Sequence, residues 1–473
     1  MSEPALKTQL VVIGAGPGGY PAAFHAADLG MQVVLVDRDP NPGGVCLYRG
    51  CIPSKAILHA AEVLETASGA AAWGIRFQPP QIDLPRLREW KQSVVDTLTR
   101  GLGELCRQRK IRYLQGTARL QDAHTLAVET SAGSQALQFE HAILATGSEP
   151  IALPALPRSQ RIMDSTAALA LADVPKSLLV LGGGYIGLEI GQAYAALGAR
   201  VSVAELKASL LPGVDPQLVR PLARRLQEQF DDILLGTRVT DAAEQGDGLR
   251  IRFEGPDKQT AEKTYDKLLV AVGRRPVTRD LGLENTRVAV GADGFVKVDE
   301  QRFTAEPSIQ AIGDVAGQPM LAHKATHEGR SAVEALRDGK AVYAPRAIPA
   351  VVFTDPEVAW CGMLEDDARR AGLSVKVGVF NWQASGRAAT LDRTDGATKI
   401  VAEAASGRIL GVGIAGHGAG EMIGEAVLAI EMGAVAEDLA LTIHAHPSLS
   451  ETLMEAAQQV MGRSTHFFQR RQA

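Results

Sequence analysis

Two glycine-rich stretches decide the fold of this chain: Gln9-Leu-Val-Val-Ile-Gly-Ala-Gly-Pro-Gly-Gly19 and Ser177-Leu-Leu-Val-Leu-Gly-Gly-Gly-Tyr-Ile-Gly187. In each, an apolar run of strand length meets a Gly-x-Gly-x-x-Gly motif, and a segment of helical pattern follows. The first glycines of the two motifs are 168 positions apart, and so are the acids that end the next strands, Asp37 and Glu205. The chain therefore repeats a strand–turn–helix–strand unit. The motif glycines are Gly14, Gly16 and Gly19 in the first copy and Gly182, Gly184 and Gly187 in the second.

Each copy predicts a dinucleotide-binding site. The first glycine permits a tight turn, the second lets the backbone approach a pyrophosphate, and the third allows close helix–strand packing. The helix N-terminus offers free N–H groups and a positive dipole end to the phosphates. Glycines that serve packing alone are disfavoured, because both copies keep the same spacing to an acid that can bind ribose. Glu205 is followed by Leu206 and Lys207 rather than by arginines, which favours NAD over NADP at the second site.

Composition excludes several classes of protein. The 473 residues are 46% apolar and 22% charged, with a net charge of −5, so a general nucleic-acid or anionic-membrane surface is not expected. No run of about 18 apolar residues predicts a transmembrane helix. The N-terminal residues lack the charged start and apolar run of a signal peptide, and four cysteines do not make a disulfide scaffold. We therefore expect a cytoplasmic α/β protein.

The two copies differ in length, and the extra residues contain a cysteine pair. Gly147, after the last strand of the first copy, lies 133 positions beyond Gly14, whereas Gly273 lies 91 beyond Gly182. The first copy is thus about 42 residues longer, and Cys46 and Cys51 lie between its second and last strands.

The cysteines stand in Gly43-Gly-Val-Cys-Leu-Tyr-Arg-Gly-Cys-Ile-Pro-Ser-Lys55. Residues five apart are about 8–9 Å apart in a helix and about 16 Å apart in a strand, so a disulfide requires a bend, which the local glycines allow. A redox pair is favoured over inert thiols, and over a metal site because no second Cys/His pair at ligand spacing lies nearby. Cys106 and Cys361 stand alone and are expected to be buried small hydrophobes.

With these residues the sequence resembles the pyridine nucleotide–disulfide oxidoreductases, and within them the branch that oxidises dihydrolipoyl groups. The resemblance covers nearly the whole chain, including residues 43–55, 145–148, 272–276, 311–314, 321–325 and 444–451. It implies FAD at the first nucleotide site and NAD at the second. It also implies two Rossmann-like dinucleotide-binding domains, a central segment and an α+β C-terminal dimerisation domain. The expected boundaries are 1–150 for the FAD-binding domain with the redox insertion, 151–278 for the NAD-binding domain, 279–347 for the central domain and 348–473 for the interface domain.

The resemblance also implies roles for single residues. Cys51 becomes the thiolate beside the flavin, Cys46 exchanges with substrate, and Lys55 pairs with Glu189 near the nicotinamide; by themselves these two charges are compatible with solvated surface residues. Asp37 holds the FAD ribose, where the family more often has Glu. Asp314 binds a ribityl hydroxyl, although an Asp at a strand-to-helix turn suits the local sequence as well. The other implied cofactor contacts are Gly116, Thr146, Gly147, Ser148, Gly273, Leu321, Ala322 and His323.

A dithiol substrate needs a base at neutral pH, and imidazole is the usual choice. The resemblance assigns this role to His446, with Glu451 orienting the ring. Two simpler interpretations stay open: residues 448–451 also form a capping-box pattern, and His444 and His446 suit satisfied turn histidines. The family is a homodimer whose C-terminal domain brings the histidine to the partner's disulfide, and we predict the same here.

The implied activity is oxidation of protein-bound dihydrolipoyl groups to lipoyl disulfide, with NAD as acceptor and no metal. The implied partners are lipoyl-bearing carrier domains, or the acyltransferase core, of a 2-oxoacid dehydrogenase or glycine cleavage complex. Another flavin disulfide reductase, such as a glutathione reductase, is disfavoured by residues 52–55 and by Glu205. A docking subunit without catalysis is disfavoured because Cys46, Cys51 and His446 are all present.

Overall fold

The computed structural model describes residues 6–466. The first glycine motif lies in a sheet whose central strands are parallel. In it β3, β2, β1 and β6 lie side by side and parallel, and β5 and β4 continue the sheet as antiparallel strands. The elements of this part are β1 (Leu6–Ile13), α1 (Gly19–Asp28), β2 (Val33–Asp37), α2 (Gly44–Arg49), α3 (Cys51–Gly69), α4 (Leu84–Gln108), β3 (Arg112–Gln115), β4 (Thr117–Leu120), β5 (Thr125–Thr130), β6 (Gly133–Leu144) and β7 (Ser148–Pro150).

The apolar run of β1 is continuous because both of its faces are buried. Leu10 and Val12 pack in a cluster with the alanines of α1, whereas Val11 and Ile13 pack in a second cluster with β4 and β5. A strand covered on both faces has no solvated face, so it does not alternate apolar and polar residues. Because β1 lies inside the sheet, between β2 and β6, the glycine motif that follows it begins at the end of a buried strand.

The second glycine motif lies in a sheet of the same plan, with parallel strands in the order β11-β10-β9-β15-β8. A three-stranded antiparallel sheet of β12 to β14 leads into β15, and β16 pairs with β7 to join the two halves. The elements are β8 (Ile162–Met163), α5 (Ser165–Ala170), β9 (Ser177–Leu181), α6 (Tyr185–Ala196), β10 (Arg200–Ala204), α7 (Pro216–Gln229), β11 (Asp232–Leu234), β12 (Arg238–Gln245), β13 (Gly248–Glu254), β14 (Thr260–Tyr265), β15 (Lys267–Val270) and β16 (Arg274–Pro276).

The chain then returns to the first sheet, where β17 (Ile309–Ala311) pairs with β6 and α8 (Ala322–Asp338) packs on α1. A five-stranded antiparallel sheet follows, in the order β18-β19-β22-β21-β20, with helices packed against it. Its elements are β18 (Ala350–Val352), β19 (Glu357–Gly362), α9 (Glu365–Arg370), β20 (Val375–Asn381), α10 (Gly386–Thr390), β21 (Ala397–Glu403), β22 (Ile409–Gly416), α11 (Ala419–Met432), α12 (Ala436–Leu441) and α13 (Glu451–Val460).

The predicted fold class is confirmed: two sheets of the same plan each have a glycine motif directly after a parallel strand, β1 or β9, and an α+β unit ends the described chain. The extra length of the first copy lies between β2 and β3, where the chain forms α2, α3 and α4, whereas only α7 stands between β10 and β11 of the second copy. Within residues 6–466, no helix is both long and apolar enough to span a membrane.

Candidate active site

The two glycine motifs close in the same way. A Cβ at Gly19 would lie 1.8 Å from the carbonyl oxygen of Gly14, and one at Gly187 would lie 2.2 Å from that of Gly182. No side chain fits at either position, so each helix packs directly against its turn. A Cβ at Gly16 would meet nothing closer than the Cα of Gly44, at 3.9 Å. The middle glycine of the first motif therefore faces open space into which a phosphate can fit.

The acids at the ends of β2 and β10 make matching hydrogen bonds. Asp37 Oδ2 accepts from the Ala15 N–H at 2.6 Å, and Glu205 Oε2 accepts from the Gly183 N–H at 2.7 Å. Each second oxygen accepts from the N–H two residues further on, at 2.9 Å for Asp37 and 2.7 Å for Glu205. A carboxylate has about four lone-pair positions, so each acid keeps acceptor capacity for ribose hydroxyls. Burial raises the pKa of Asp37 despite these bonds.

A cavity of about 360 Å³ extends from the first glycine motif to the cysteine pair. One end of the cavity is at Asp37, where a nucleotide ribose is expected, and the other end is at the sulfur atoms of Cys46 and Cys51. The residues expected from the sequence that line it are Gly14, Gly16, Asp37, Cys46, Cys51, Lys55, Gly116, Thr146, Gly147, Ser148, Glu189, Asp314 and Ala322. Gly19 lies behind the first turn, and the second set, Gly182, Gly184, Gly187, Glu205 and Gly273, belongs to the second sheet edge and does not line this cavity.

Two expected flavin contacts, Leu321 and His323, also lie outside the cavity lining. Leu321 is the N-cap of α8, and His323 Nε2 lies 2.7 Å from the Pro349 carbonyl oxygen. Neighbouring residues of a helix point about 100° apart, so Ala322 and Ala325 face the cavity while His323 faces another way. Burial lowers the pKa of His323, which favours its neutral ring beside the carbonyl.

The cysteines come together because the chain breaks between two helices. Gly50 adopts φ −139° and ψ −111° and separates α2, which contains Cys46, from α3, which begins at Cys51. A Cβ at Gly50 would lie 3.0 Å from the Val45 carbonyl oxygen and 3.3 Å from the Cys46 Cα, so this close return favours glycine. The bend that the sequence required is therefore present, and both cysteines are free thiols here.

The two thiols have different acidities. The hydrogen bond from the Cys46 thiol lowers the pKa of Cys51 to about 7, against burial and with help from the Lys55 ammonium. The same hydrogen bond, together with burial, raises the pKa of Cys46 well above its usual value. The reduced pair is thus a Cys51 thiolate beside a Cys46 thiol. This asymmetry matches the roles that the family resemblance assigned to the two residues.

Lys55 and Glu189 form an ion pair between the halves of the molecule. Lys55 Nζ lies 2.7 Å from Glu189 Oε2, joining α3 of the cysteine segment to α6 of the second motif. Glu189 is only 4% exposed. Its other oxygen accepts from the Phe353 N–H at 3.0 Å, and the Lys55 ammonium lies 4.3 Å from the centroid of the Phe353 ring. Phe353 was not predicted from the sequence, because a phenylalanine in an apolar run predicts only a buried strand.

Asp314 is held at the cavity by residues of the first and second halves. The Ser148 hydroxyl donates to Asp314 Oδ2, and Arg274 Nε donates to the Ser148 hydroxyl at 2.7 Å. The pairing of β16 with β7 brings Arg274 to this position. Arg274 and Tyr185 both line the cavity and were not singled out, although each stands inside a quoted motif.

His446 and Glu451 form a hydrogen-bonded pair before α13. His446 Nδ1 lies 2.9 Å from Glu451 Oε1, while Glu451 Oε2 accepts from the Ser448 N–H at 2.8 Å. Burial acts to raise the pKa of Glu451, but these two hydrogen bonds outweigh it and leave the pKa below its usual value. The backbone half of the capping box is therefore present together with the orienting contact. His444, by contrast, is a satisfied turn histidine, with Nε2 2.8 Å from Glu425 Oε1.

The single chain does not bring His446 to the cysteines. Its side chain is 79% exposed, and neither His446 nor Glu451 lines the cavity. In residues 6–466, no group of three or more His, Cys, Asp or Glu side chains is arranged to hold a metal ion.

Comparison with known proteins identifies the class. The family model described as pyridine nucleotide-disulphide oxidoreductase matches residues 8–329, and the model of that family's dimerisation domain matches residues 348–457. The chain belongs to the pyridine nucleotide-disulphide oxidoreductases.

The similar relatives indicate the branch. The chain is 43% identical to dihydrolipoyl dehydrogenase of Vibrio cholerae, over 97% of each chain. It is 45% identical to that of Haemophilus influenzae, over 97% of this chain and 96% of the relative, and 44% identical to that of Geobacillus stearothermophilus, over 98% of each. Among solved structures, LpdA of Mycobacterium tuberculosis matches with a TM-score of 0.89 at 26% identity, covering 96% of this chain and all (100%) of that one. The flavoprotein disulfide reductase RclA of Escherichia coli, as its Cu(II) complex, matches with a TM-score of 0.86 at 28% identity, covering 96% and 99%.

The protein uses FAD and NAD, as this family does. The first site fits FAD, because the open face of Gly16, the Asp37 carboxylate and the Asp314 turn lie along one cavity that ends at Cys51. The second motif fits NAD, because a Cβ at Gly184 would meet no atom within 4 Å and Glu205 stands where a 2′-phosphate would be repelled.

Proposed function

We propose that this protein oxidises protein-bound dihydrolipoyl groups to lipoyl disulfide, with NAD as the acceptor. The observation that carries the proposal is the asymmetric Cys46–Cys51 pair at the end of the cavity, one thiol acidic and the other not. A dithiol substrate needs such a pair, because one sulfur must be attacked and the other must leave as a stable thiolate. The full-length likeness to dihydrolipoyl dehydrogenases supports this substrate class.

The thiol chemistry follows from the acidities. His446 accepts the proton of one substrate thiol, and the resulting thiolate attacks Cys46 of the oxidised pair. The S–S bond breaks, and its electron pair goes to Cys51, whose thiolate is the stabilised one. The second substrate thiol then attacks the mixed disulfide and releases lipoyl disulfide, while Cys46 leaves and takes up a proton. One dithiol is oxidised and one protein disulfide is reduced.

The remaining step returns the pair to its disulfide. Bound FAD supplies two-electron transfer between the reduced pair and NAD, so each lipoyl disulfide is accompanied by one NADH and one proton. Lys55 holds a positive charge near the Cys51 sulfur and is itself held by Glu189. The hydrogen bond from Ser148 orients Asp314 toward the cavity that it lines.

A homodimer supplies the base in this proposal. His446 is exposed and outside its own chain's cavity, so a partner chain is needed to bring an imidazole to the cysteines. Leu441 and Ile443, just before His446 in the chain, are 74% and 96% exposed, and Met432 at the end of α11 is 76% exposed. Such exposure is unusual for large apolar side chains and suits a covered surface. Homodimers of Cys46→Ser and of His446→Gln should both be inactive, whereas a hybrid of the two should regain activity at its one intact composite site. A hybrid that stays inactive refutes the exchange between subunits.

The partners and the location belong to the same proposal. We infer that lipoyl-bearing carrier domains, or the acyltransferase core of a 2-oxoacid dehydrogenase or glycine cleavage complex, present the substrate. We also infer a cytoplasmic location, because a reducing compartment suits cysteines used for catalysis rather than for structure.

A substrate comparison tests the function. Purified protein should form NADH from NAD and dihydrolipoamide with ping-pong kinetics, and should use NADP poorly. Reduction of glutathione disulfide by NADPH at a higher kcat/KM than the dihydrolipoamide reaction would contradict the proposal.

A further inference from the structure

One residue of the antiparallel C-terminal part contacts both members of the Lys55–Glu189 pair. Phe353 follows β18 directly and donates its N–H to Glu189 Oε1 at 3.0 Å. Its ring centroid lies 4.3 Å from Lys55 Nζ. The ammonium, the carboxylate and the ring come from three different parts of the chain, and they meet where the cysteine helix faces the second nucleotide motif.

The segment that contains Phe353 is fixed at both ends. The Asp355 N–H donates to Gln192 Oε1, and Gln192 Nε2 donates to the Asp355 carbonyl oxygen, both at 2.8 Å. Upstream, the Pro349 carbonyl oxygen lies 2.7 Å from His323 Nε2. His323, which does not line the cavity, therefore anchors the strand that leads to Phe353. These contacts leave the loop little freedom to move its ring.

The ring is confined on a second side as well. A Cβ at Gly420, at the start of α11, would lie 3.5 Å from Phe353 Cε1 and 3.0 Å from Val351 Cγ1. The Phe353 ring thus lies between Gly420 of α11 and the Lys55 ammonium. A confined ring presents its negative face to an ammonium with little further loss of side-chain entropy.

The position of the ammonium matters to the thiolate. Several groups act on the Cys51 sulfur: the Cys46 thiol donates to it, Lys55 stabilises its negative charge, and the Glu189 carboxylate opposes that charge. The Tyr185 hydroxyl also lies within range of it. Lys55 is part-exposed, at 34%, so its one hydrogen bond to Glu189 does not by itself fix the ammonium. If Lys55 moved toward solvent, the Glu189 carboxylate would be left without its counter-charge and would oppose the negative charge on the Cys51 sulfur.

We propose that Phe353 is a positioning residue of the redox centre, whose ring holds the Lys55 ammonium at Glu189 and within electrostatic range of the Cys51 sulfur. The C-terminal part thereby acts on the cysteine pair of its own chain. The inference rests on the proposed dithiol chemistry for its consequence in turnover, but its effect on the Cys51 thiolate is measurable without any substrate.

Graded fluorination of the Phe353 ring tests the proposal with the side-chain shape nearly unchanged. Site-specific incorporation of mono-, di- and trifluorophenylalanine weakens the negative ring face stepwise in the FAD-loaded protein. After reduction, iodoacetamide labelling across pH, with Cys46 and Cys51 read separately by mass spectrometry, should show the Cys51 midpoint moving to higher pH with each fluorine. At pH 7 the trifluoro protein should label Cys51 about two- to fivefold more slowly. A midpoint independent of fluorine number would overturn the proposal.

Ordinary variants supply the kinetic readout. Phe353→Leu should lower kcat for NADH formation about two- to fivefold and leave the KM for dihydrolipoamide unchanged. Phe353→Tyr keeps an aromatic face, so its kcat should equal that of the unaltered protein. The matched control is Phe24→Leu, which removes the ring 4.8 Å from the Arg109 guanidinium, outside the cavity, and should leave both the kinetics and the Cys51 profile unchanged. Equal kcat in Phe353→Leu and the unaltered protein would contradict the positioning role. Failure of the proposed function would show differently, as no turnover of dihydrolipoamide in the unaltered protein.

Discussion

Replacement of Glu451 by glutamine tests whether the pair with His446 is catalytic or only ends a helix. Glu451 uses both oxygens as acceptors, one toward His446 Nδ1 at 2.9 Å and the other toward the Ser448 N–H at 2.8 Å. A glutamine side chain has one acceptor oxygen and one NH₂ donor. Because both partners of Glu451 donate when His446 acts as a base through Nε2, Glu451→Gln must lose one of the two hydrogen bonds.

The size of the loss follows from the charge. A hydrogen bond to a charged group contributes about 1.5–3 kcal/mol, and about 1.4 kcal/mol corresponds to tenfold in rate. The variant should therefore lower kcat/KM for dihydrolipoamide about ten- to 100-fold. Oxidation of NADH by ferricyanide needs neither the dithiol nor the base, so its rate should not change.

The assay compares these two activities in the variant and in a matched control. Glu455 lies on the same helix and also contacts a histidine, but its Oε1 lies 2.6 Å from Nδ1 of His466, whereas His446 Nδ1 contacts Glu451. Glu455→Gln should keep the dihydrolipoamide activity within about twofold, since its loss is one of local stability. If Glu451→Gln also stays within about twofold of the unaltered protein, Glu451 serves only the start of α13 and the reasoning fails.

Three further perturbations test the thiolate and the two nucleotide sites. In the reduced protein, Cys51 should react with iodoacetamide with a midpoint near its pKa of about 7. Cys46→Ala removes the donor that stabilises the thiolate, so the midpoint should move to higher pH; an unchanged midpoint in this labelling profile would contradict the assignment. Gly19→Ala, whose Cβ would lie 1.8 Å from a carbonyl oxygen, should abolish retention of FAD measured by absorbance, and retention of FAD would show that the turn adapts. Glu205→Ser should lower the ratio of kcat/KM for NAD to kcat/KM for NADP by about tenfold or more, because the carboxylate that repels a 2′-phosphate is gone. Asp37→Ser, the equivalent change at the first motif, should leave this ratio unchanged.

The outer glycines of each motif were predictable because a Cβ at Gly14, Gly19, Gly182 or Gly187 would overlap a backbone carbonyl oxygen. The acids were predictable because each stands at the end of the strand that follows its motif. The 168-residue repeat extends to matching hydrogen bonds at Asp37 and Glu205, which no spacing argument specified. The bend between the cysteines was also predictable, since their separation along the chain excludes a bridge in a regular helix or strand.

Other parts of the site depend on packing between distant segments. Phe353 reaches Lys55 because the chain on either side of it is anchored, at Pro349 by His323 and at Asp355 by Gln192. Nothing in its local sequence distinguishes Phe353 from a core phenylalanine. The orientation of α8 decides that Ala322 faces the cavity and His323 does not, and this angle is set by tertiary packing rather than by the motif.

A single anaerobic turnover tests the central claim most directly. Oxidised protein mixed with one equivalent of dihydrolipoamide, without NAD, should gain alkylatable thiols at Cys46 and Cys51, while the buried Cys106 and Cys361 stay unlabelled. Addition of NAD should then abolish the labelling of the pair and yield one NADH for each pair reoxidised. Labelling of neither Cys46 nor Cys51, or NADH formed while both stay oxidised throughout, would show that electrons do not pass through this pair.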